Sequence, residues 1–368
     1  MPDARKTPVA LVRRGFSRSG GAEAYLRRLA TGLFENGCEV TLYNDRPWPE
    51  DYWPYPQLSL TQAGGSPREF SRAFHRLRDP QEIVFSMERV VGCDIYRAGD
   101  GVHGAWLERR AQHEPPIRTF FRRFSPKHRA LLALERQVFN AEHTRFVIAN
   151  SQMVKAEITS RFHFPDPRIA VIYNGAPPHR AAEGMRERIR ENLGFGPDDC
   201  LALFAGSGWE RKGLKFAIEA CRGIPRLTLL VAGRGNAPAR PDFVRYLGEV
   251  RGMERYFTAA DFFILPTLYD PFSNACLEAL AAGLPVITTR ANGISEILTE
   301  KITGSVIDDA AFIPQLRQAV QFWSDAAPRQ GAFERCRALA ERLSLSENTA
   351  QSLDLILQVR NEKSHSLA

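Results

Sequence analysis

The sequence predicts an α/β protein of two domains, each built on a parallel β-sheet with helices on both faces. Short apolar segments alternate with helical ones along the chain, and this alternation is typical of parallel sheets. The plan of the first half recurs in the second half. A chain of 368 residues is also longer than a domain with a single hydrophobic core usually is, and it fits two domains of ordinary size.

In the first half, glycine, proline and polar residues separate the predicted elements. Strands are expected at residues 9–12, 39–43, 83–85, 94–96, 145–149 and 169–173, and helices at 22–36, 68–78, 127–140 and directly after Ser151. The loop before the first helix ends in Gly20-Gly21, a pair that lets backbone come close to a phosphate or a sugar. Asp100 and His103 follow the strand at 94–96, at the edge where open α/β sheets bind ligands. A cap or turn role is the alternative for Asp100.

The second half repeats this arrangement. Strands are expected at 200–205, 227–232, 262–265, 285–288 and 304–307, and helices after 213, at 254–260, at 274–282 and through the C-terminus. Prolines between 165 and 178 mark the domain boundary. We therefore predict an N-terminal domain of residues 1–170, a C-terminal domain of residues 171–345, and a last helix near 346–368 that packs back on the first domain.

The stretch 269–289 carries two acidic residues around a helix start. Asn274 is a suitable N-cap and Gly283 a suitable residue just past the helix end. The amino end of such a helix favours anions. Asp270 lies in the loop and Glu278 inside the helix, which indicates a pocket for a sugar joined to a phosphate. A surface loop aspartate and an ordinary helix glutamate are the alternative interpretation.

Arg211 and Lys212 form a basic pair between the strand at 200–205 and its helix. Charge-assisted bonds to phosphate contribute about 1.5–3 kcal/mol each, and a guanidinium beside an ammonium suits a leaving diphosphate. Cations are unfavourable at a helix start, so the pair calls for a compensating anion. A solvated pair without a ligand is the alternative.

Composition describes a globular protein, with 44% apolar and 25% charged residues. No apolar run is long enough to span a bilayer, and the N-terminus lacks the apolar core of a signal peptide. The 6 cysteines are scattered and predict buried thiols in a reduced cytoplasm. The net charge of +7 and the pI near 9.2 favour anionic partners.

Residues 103–136 form what we call the basic–aromatic segment. It interleaves basic residues with Trp106 and several phenylalanines; the basic residues are Arg109, Arg110, Arg118, Arg122, Arg123, Lys127, Arg129 and Arg136. Such a composition is typical of segments that bind anionic membrane surfaces. An ordinary basic surface with its aromatics in the core is the alternative. Nucleic acid could attract the same charges, but bases would then be expected to stack on the rings, and we expect no nucleic-acid partner.

Four motifs together resemble the family-four retaining glycosyltransferases. They are Gly20-Gly21, Gly206…Arg211-Lys212-Gly213, Ala260-Asp261…Leu265-Pro266, and Asp270-x7-Glu278-Ala-x-Ala-x-Gly-x-Pro-Val. The resemblance covers nearly the whole chain and implies the GT-B fold, two Rossmann-like, doubly wound domains facing a central cleft. Within the family, residues 94–100 and the basic–aromatic segment resemble the lipopolysaccharide core glucosyltransferases of Gram-negative bacteria.

The resemblance implies a role for each matching residue. Arg211 and Lys212 would stabilise the departing nucleotide diphosphate, and Glu278 would hold the ribose hydroxyls. The other implied contacts of the donor are Asp270, Phe272, Ser273 and Asn274 with the sugar, the backbone of Val250 with the base, and Gly20 and Gly21 with donor or acceptor. Asp100 and His103 would face the reacting sugar and the acceptor hydroxyl. The implied catalytic group is Asp100, Arg211, Lys212 and Asp270.

The activity implied is transfer of a hexose, with retention of configuration, from a nucleotide-diphosphate sugar such as UDP-glucose. The acceptor would be a hydroxyl of a lipid-linked glycan at the cytoplasmic membrane face, and no metal or other cofactor would take part. Asp270 stands where the family more often has glutamate, which leaves the donor sugar open. Three alternatives stay open: another glycolipid or polysaccharide acceptor, a sugar-nucleotide epimerase of the same fold, and a non-catalytic binder of membranes or nucleic acid.

Overall fold

The protein is described by a computed structural model that covers residues 7–18, 21–60, 65–122 and 124–366. Its contacts divide the chain into two compact units. The first unit runs to Asn174 and resumes at Leu345, and the second is Gly175–Ser344. The boundary expected between residues 170 and 171 would cut the last strand of the first unit, Ile169–Val171.

The first unit is built on a sheet of seven parallel strands. They are β1 (Thr7–Val12), β2 (Cys38–Asn44), β3 (Gln57–Ser59), β4 (Ile83–Ser86), β5 (Cys93–Arg97), β6 (Thr144–Ala149) and β7 (Ile169–Val171). The order across the sheet is β3-β2-β1-β4-β5-β6-β7. The winding therefore reverses between β1 and β4, and ligands of doubly wound sheets bind past the strand ends at such a point.

Helices cover both faces of this sheet. They are α1 (Gly21–Glu35), α2 (Pro67–Leu77), α3 (His103–Ala111), α4 (Pro116–Arg122), α5 (Pro126–Val138) and α6 (Gln152–Phe162). The start of α2 is fixed by a capping box, in which Ser66 Oγ accepts from Glu69 N at 3.2 Å and Glu69 Oε2 accepts from Ser66 N at 2.8 Å. Proline at the first position of α2 costs no hydrogen bond.

The second unit has six parallel strands. They are β8 (Cys200–Ala205), β9 (Leu227–Ala232), β10 (Val244–Gly248), β11 (Phe262–Leu265), β12 (Val286–Thr289) and β13 (Gly304–Ile307), in the order β10-β9-β8-β11-β12-β13. Every residue of β8, β11 and β12 is buried, as expected of parallel strands covered on both faces. The winding reverses between β8 and β11.

The helices of the second unit are α7 (Met185–Asn192), α8 (Trp209–Lys212), α9 (Leu214–Cys221), α10 (Glu254–Ala259), α11 (Asn274–Ala281), α12 (Ile313–Ser324) and α13 (Ala326–Glu341). The chain then returns to the first unit as α14 (Leu345–Ser366). Leu353, Ile356 and Val359 of α14 are buried in the same core as Leu26 and Leu29 of α1. Burial of this stripe holds the last helix on the first unit.

The two parallel sheets confirm the predicted fold class. All 6 cysteines are buried and free. The elements that the sequence analysis missed are short or flanked by polar residues: β3, β10, α3, α4, α7 and α8. An α-helix of four residues such as α8, or a three-residue strand such as β3, is too short to show hydrophobic periodicity.

Candidate functional site

In the second unit, two loops meet at the carboxyl edge of the sheet where the winding reverses. The loop after β8 (206–213) and the loop after β11 (266–273) are hydrogen-bonded to each other. Leu268 N donates to the carbonyl oxygen of Arg211 at 2.8 Å, and Thr267 Oγ1 donates to the same oxygen at 3.0 Å. We call this region the β8–β11 edge. It is where a doubly wound sheet binds a ligand.

Two glycines at this edge allow neighbouring backbone segments to approach each other closely. Gly233 has φ of +119°, and a Cβ there would lie 2.1 Å from the carbonyl oxygen of Gly206. Gly213 has φ of +78°, and a Cβ there would lie 1.9 Å from the carbonyl oxygen of Pro266. No L side chain fits in such a space or favours these angles. Gly233 and Gly213 therefore allow the segments that follow β8, β9 and β11 to lie close together at the site.

The Lys212 ammonium pairs with the Asp270 carboxylate (Nζ to Oδ2) across the β8–β11 edge. The side chains are only 12% and 8% exposed, so this charge pair is largely withdrawn from water. The sequence predicted that Lys212 needs a compensating anion, and the structure supplies one from the protein itself. The two residues expected to meet diphosphate and sugar are thus already in contact.

Arg211 carries the other positive charge at this edge. Its Nη1 donates to the carbonyl oxygen of Tyr269 at 3.2 Å, and Arg211 forms no ion pair with any residue that the structure describes. The sequence placed Arg211 and Lys212 in a turn ahead of a helix that starts after Gly213; the helix start is confirmed, but the turn itself contains a short helix. The two residues form the last turn of α8, and α9 starts only after Gly213, because the left-handed backbone of Gly213 separates the two helices. Basic residues suit the carboxyl end of a helix.

The loop after β11 is held by the buried amide of Asn292. Asn292 Oδ1 accepts from Ser273 N at 3.2 Å, and Asn292 Nδ2 donates to Thr288 Oγ1 at 3.0 Å. Asp270 N donates to the carbonyl oxygen of Ala291 at 2.9 Å. These bonds hold Asp270 and the amino end of α11 in a defined position. No local motif in the sequence marks Asn292, which lies 19 residues from Ser273.

The N-cap of α11 is Ser273, and the prediction of Asn274 at that position is wrong by one residue. Ser273 Oγ accepts from Cys276 N at 3.4 Å, while Asn274 is the first helical residue. Either residue type can cap, and the buried bond of Ser273 N to Asn292 decides between them. Gly283 lies just past the helix with φ of +84°, as expected.

The remaining predicted donor residues lie around the same loop and helix. Phe272 is buried, whereas Asn274 and Glu278 are half-buried on α11. Glu278 lies one turn into α11 from Asn274, four residues further along the chain. Val250 is half-buried in the loop that follows β10.

The first unit carries a second cluster of charges, at the carboxyl edge between β1 and β4. Arg13 follows β1 and bonds two carboxylates, Glu88 Oε1 at 3.0 Å and Glu23 Oε1 at 3.3 Å. Arg14 N also donates to Glu88 Oε1 at 3.3 Å. Burial raises the pKa of Glu88, Asp100 raises it further, and Arg13 opposes both. None of Arg13, Glu23 and Glu88 was predicted; Arg13 and Glu88 lie 75 residues apart in the sequence.

Asp100 and His103 lie next to this cluster. Asp100 is exposed just after β5, and its charge acts on Arg13, Glu88 and His103. His103 begins α3, and its Nε2 lies 3.0 Å from Nδ1 of His128. Burial lowers the pKa of His103 to about 4, and Arg89 acts in the same direction. His103 is therefore neutral at pH 7.

The predicted Gly20-Gly21 pair is only partly covered by the structure. Gly20 lies outside the described residues, and Gly21 is the first residue of α1.

Another basic residue, Arg97 at the end of β5, is 2% exposed. Its guanidinium bonds the Asn174 side chain and lies 4.1 Å from the centre of the Tyr25 ring, with no carboxylate partner among the described residues. Burial lowers the pKa of Arg97.

The Ala260-Asp261 motif has a structural explanation. Asp261 is 7% exposed, and its carboxylate meets Arg186 at 2.7 Å, Arg190 at 3.2 Å and Arg329 at 3.5 Å. Asp261 Oδ2 also accepts from Leu201 N at 2.7 Å. Asp261 precedes β11 and lies at the amino edge of the sheet, opposite the β8–β11 edge. It fixes the start of β8 and does not contact the candidate site.

The basic–aromatic segment folds into α3, α4 and α5. Its four large apolar side chains around α4 are between 53% and 66% exposed: Ile117, Phe120, Phe121 and Phe124. The interpretation that the aromatics fill the core is wrong for Phe120, Phe121 and Phe124. Glu114 and Glu157 pair with Arg122, Arg110 and Arg109. Arg123 lies outside the described residues.

Two family profiles match this chain. The one described as "Glycosyltransferase Family 4" matches residues 19–180, and the one described as "Glycosyl transferases group 1" matches residues 199–322. A probable transglycosylase of Burkholderia thailandensis is 30% identical over 94% of this chain and 95% of its own length. The chain belongs to the family-four glycosyltransferases.

Further proteins match along almost the whole chain. The lipopolysaccharide glucosyltransferase WaaG of Escherichia coli K12 is 24% identical over 92% of this chain and 95% of its own length. A crystal structure of WaaG, a glycosyltransferase involved in lipopolysaccharide biosynthesis, matches with a TM-score of 0.79 and 22% identity over 95% of this chain and 99% of that one. Anabaena HepE, crystallised with UDP and glucose, has a TM-score of 0.71 and 15% identity over 96% and 100%. These likenesses confirm the GT-B fold.

Among the residues that the structure describes, no group of three His, Cys, Asp or Glu side chains could hold a metal ion. In the same part of the chain, no helix combines the length and the apolarity that a bilayer-spanning helix needs.

Proposed function

We propose that this glycosyltransferase moves a hexose from a nucleotide-diphosphate sugar, UDP-glucose or a similar donor, to a hydroxyl of a lipopolysaccharide core acceptor. The observation that carries the proposal is the meeting of Arg211, Lys212 and Asp270 at the β8–β11 edge, beside the amino end of α11. Cations for a diphosphate and a carboxylate for sugar hydroxyls are both present there. The similarity to WaaG supports the acceptor, and the HepE complex supports the donor.

The charges at this edge suit a reaction in which negative charge grows on a leaving diphosphate. Arg211, which has no carboxylate partner among the described residues, takes one phosphate. The Lys212 ammonium donates one hydrogen bond to the other phosphate and one to Asp270. This bond holds the Asp270 carboxylate in position, where it accepts hydrogen bonds from the sugar hydroxyls. Glu278, one turn along α11, bonds the ribose. Groups held in place before the bond breaks stabilise the transition state most effectively.

The acceptor side belongs to the first unit in this proposal. Asp100 is exposed at the strand edge beside Arg13 and Glu88. Burial raises the pKa of Glu88, which is the direction that a general acid or base among carboxyl groups requires. We propose that Asp100 and Glu88 contact the acceptor sugar, with neutral His103 as a further hydrogen-bond partner. Retention of configuration is proposed from the family resemblance.

A panel of donors tests the proposal. Calorimetric titration of the purified protein with UDP-, GDP- and ADP-sugars is expected to give saturable binding for one nucleotide class. Glu278→Gln is expected to weaken that binding by tenfold or more, because one charged hydrogen bond to ribose becomes a neutral one. Unchanged affinity would remove Glu278 from the ribose role. Conversion of the donor to an epimer in the absence of acceptor would favour the epimerase alternative.

Transfer is expected to continue in EDTA. Arg211 and Lys212 supply the positive charge that a bound metal ion supplies in other transferases. The measurement is the initial rate of transfer after dialysis against EDTA, compared with the rate after addition of Mg²⁺ or Mn²⁺. Loss of activity that either ion restores would contradict the proposed electrostatics.

We further propose that the basic–aromatic segment holds the enzyme at an anionic membrane surface on the cytoplasmic side. The exposed tip Ile117, Phe120, Phe121 and Phe124 offers apolar side chains to the interface. Exposed cations flank it, and none of them forms an ion pair with another described residue: Arg118, Lys127, Arg129 and Arg136. Each basic residue near such a surface contributes about 1 kcal/mol, and the aromatic rings anchor at the headgroups.

Co-sedimentation with liposomes tests this surface. Binding is expected to require anionic lipid, to weaken with salt, and to fall about 100-fold when Arg118, Lys127 and Arg129 all become glutamate. Phe121→Ser should weaken binding at every salt concentration, because its contribution is apolar. Phe312→Ser, which alters another exposed ring (52%, against 66% for Phe121) in the second unit, is the control. Equal binding to neutral vesicles, or no binding, would contradict the proposal.

A further inference from the structure

The second unit contains a cavity that is separate from the β8–β11 edge. It has a volume of about 880 Å³ and lies at the amino edge of the sheet, between the segment 179–186, the residues before β11 and β12, and α13. Asp261, which lines it, precedes β11, while Asp270 follows β11. The cavity and the candidate donor site therefore lie at opposite ends of the same strand. A volume of this size suits a small-molecule ligand.

The lining of this cavity is strongly cationic. Four arginines and one carboxylate line it, which leaves three positive charges in surplus: Arg180, Arg186, Arg329 and Arg337 against Asp261. His179 adds no charge at pH 7, because burial lowers its pKa. Like charges gathered in one concave site are unfavourable without an anion between them.

Two of the four arginines pair with a carboxylate of the protein, and the other two can bond a ligand. Arg186 and Arg329 are held by Asp261, at 2.7 Å and 3.5 Å. Arg180 is exposed and Arg337 half-buried, and neither forms a hydrogen bond or an ion pair with a described residue. Arg180 and Arg337 therefore have no ion-pair partner in the part of the chain that the structure describes. Two guanidinium groups with open donors fit phosphate oxygens.

The rest of the lining is apolar. Phe257 and Phe333 contribute rings, and Leu284 and Pro197 add aliphatic surface. The Arg337 guanidinium lies 5.7 Å from the centre of the Phe333 ring, and that ring packs against the backbone of Gly283 at the end of α11. Such a wall suits the flat or apolar part of a phosphorylated ligand.

We propose that this cavity is a second ligand site, which binds a phosphate-bearing small molecule of nucleotide size. Arg180 and Arg337 bond the phosphate, and the wall of Phe257 and Phe333 takes the base or another apolar part. The site does not depend on the donor assignment, because it shares no residue with the β8–β11 edge.

Titration with inorganic pyrophosphate and with ADP tests the proposal. An Arg211→Ala, Lys212→Ala double variant removes the candidate donor clamp, and both probes are still expected to bind it saturably, ADP more tightly. Adding Arg180→Gln and Arg337→Gln is expected to weaken both probes tenfold or more, since two charge-assisted bonds are lost. Arg335→Gln, an exposed arginine of α13 that does not line the cavity, is the control and should leave affinity unchanged.

Hydrogen exchange on the unaltered chain gives a second readout that requires no variant to fold. Pyrophosphate is expected to protect segments 179–186 and 326–337 as well as the donor loops 206–213 and 269–274. Protection of the donor loops alone would overturn the second site and leave the proposed activity intact. The same holds if the affinity for pyrophosphate and ADP does not change when Arg180 and Arg337 are replaced. Protection of 179–186 and 326–337 alone would support the second site and count against the donor assignment.

Discussion

Replacing Lys212 by alanine is expected to lower kcat by about 10²–10³, and replacing Arg211 by alanine to do the same. Each change removes one fixed positive charge from the edge where a diphosphate would leave. Donor affinity should fall less than kcat, because the negative charge develops mainly as the glycosidic bond breaks. Steady-state kinetics with a saturating acceptor gives both quantities.

A loss of turnover in these variants must be distinguished from a loss of folded protein. Lys212→Ala leaves Asp270 without its partner in a site where the carboxylate is only 8% exposed, so its thermal unfolding must be measured beside its kinetics. Arg211→Ala breaks no ion pair with a described residue and is the cleaner variant. Lys215→Ala, an exposed lysine on α9, is the matched control and should keep normal turnover. Near-normal kcat for both Arg211→Ala and Lys212→Ala would remove the clamp from the mechanism.

The largest effect on stability is expected for Asp261→Ala. The change leaves Arg186, Arg190 and Arg329 clustered without their shared carboxylate, and it removes the acceptor of Leu201 N. Breaking a buried ion pair from one side costs about 3–5 kcal/mol. Urea unfolding followed by a probe in the second unit measures the loss.

Asp242→Ala is the control for Asp261→Ala. Asp242 is exposed and forms no ion pair with a described residue, so its replacement should change the free energy of unfolding by no more than about 0.5 kcal/mol. A loss of less than about 1 kcal/mol for Asp261→Ala would mean that the three arginines are stabilised by something other than Asp261.

The parts of this fold that sequence predicts well are those with a strong local signal. The buried strands β8, β9, β11 and β12 are short apolar runs between turn residues, and the loop and helix around Asp270 and Glu278 carry their own cap and stop residues. Their positions follow from local chemistry. The errors there were small: Ser273 instead of Asn274 caps α11, because the remote side chain of Asn292 fixes Ser273.

The parts that sequence did not reveal depend on contacts between distant residues. Lys212 and Asp270 were both named, but their pairing across 58 positions was not foreseen. Arg13 and Glu88 drew no attention, because neither belongs to a local motif, and only the neighbouring positions of β1 and β4 in the sheet bring them together. The cavity around Arg180 and Arg337 likewise forms from three separate segments.

The most direct test of the central claim is mass spectrometry of a transfer reaction. The purified protein is incubated with UDP-glucose and with a lipopolysaccharide core acceptor that lacks its outer sugars. The acceptor is expected to gain the mass of one hexose with the unaltered protein and with Lys215→Ala, and to gain almost none with Arg211→Ala. Consumption of the donor without a heavier acceptor, or equal product from Arg211→Ala, would contradict transfer at the β8–β11 edge.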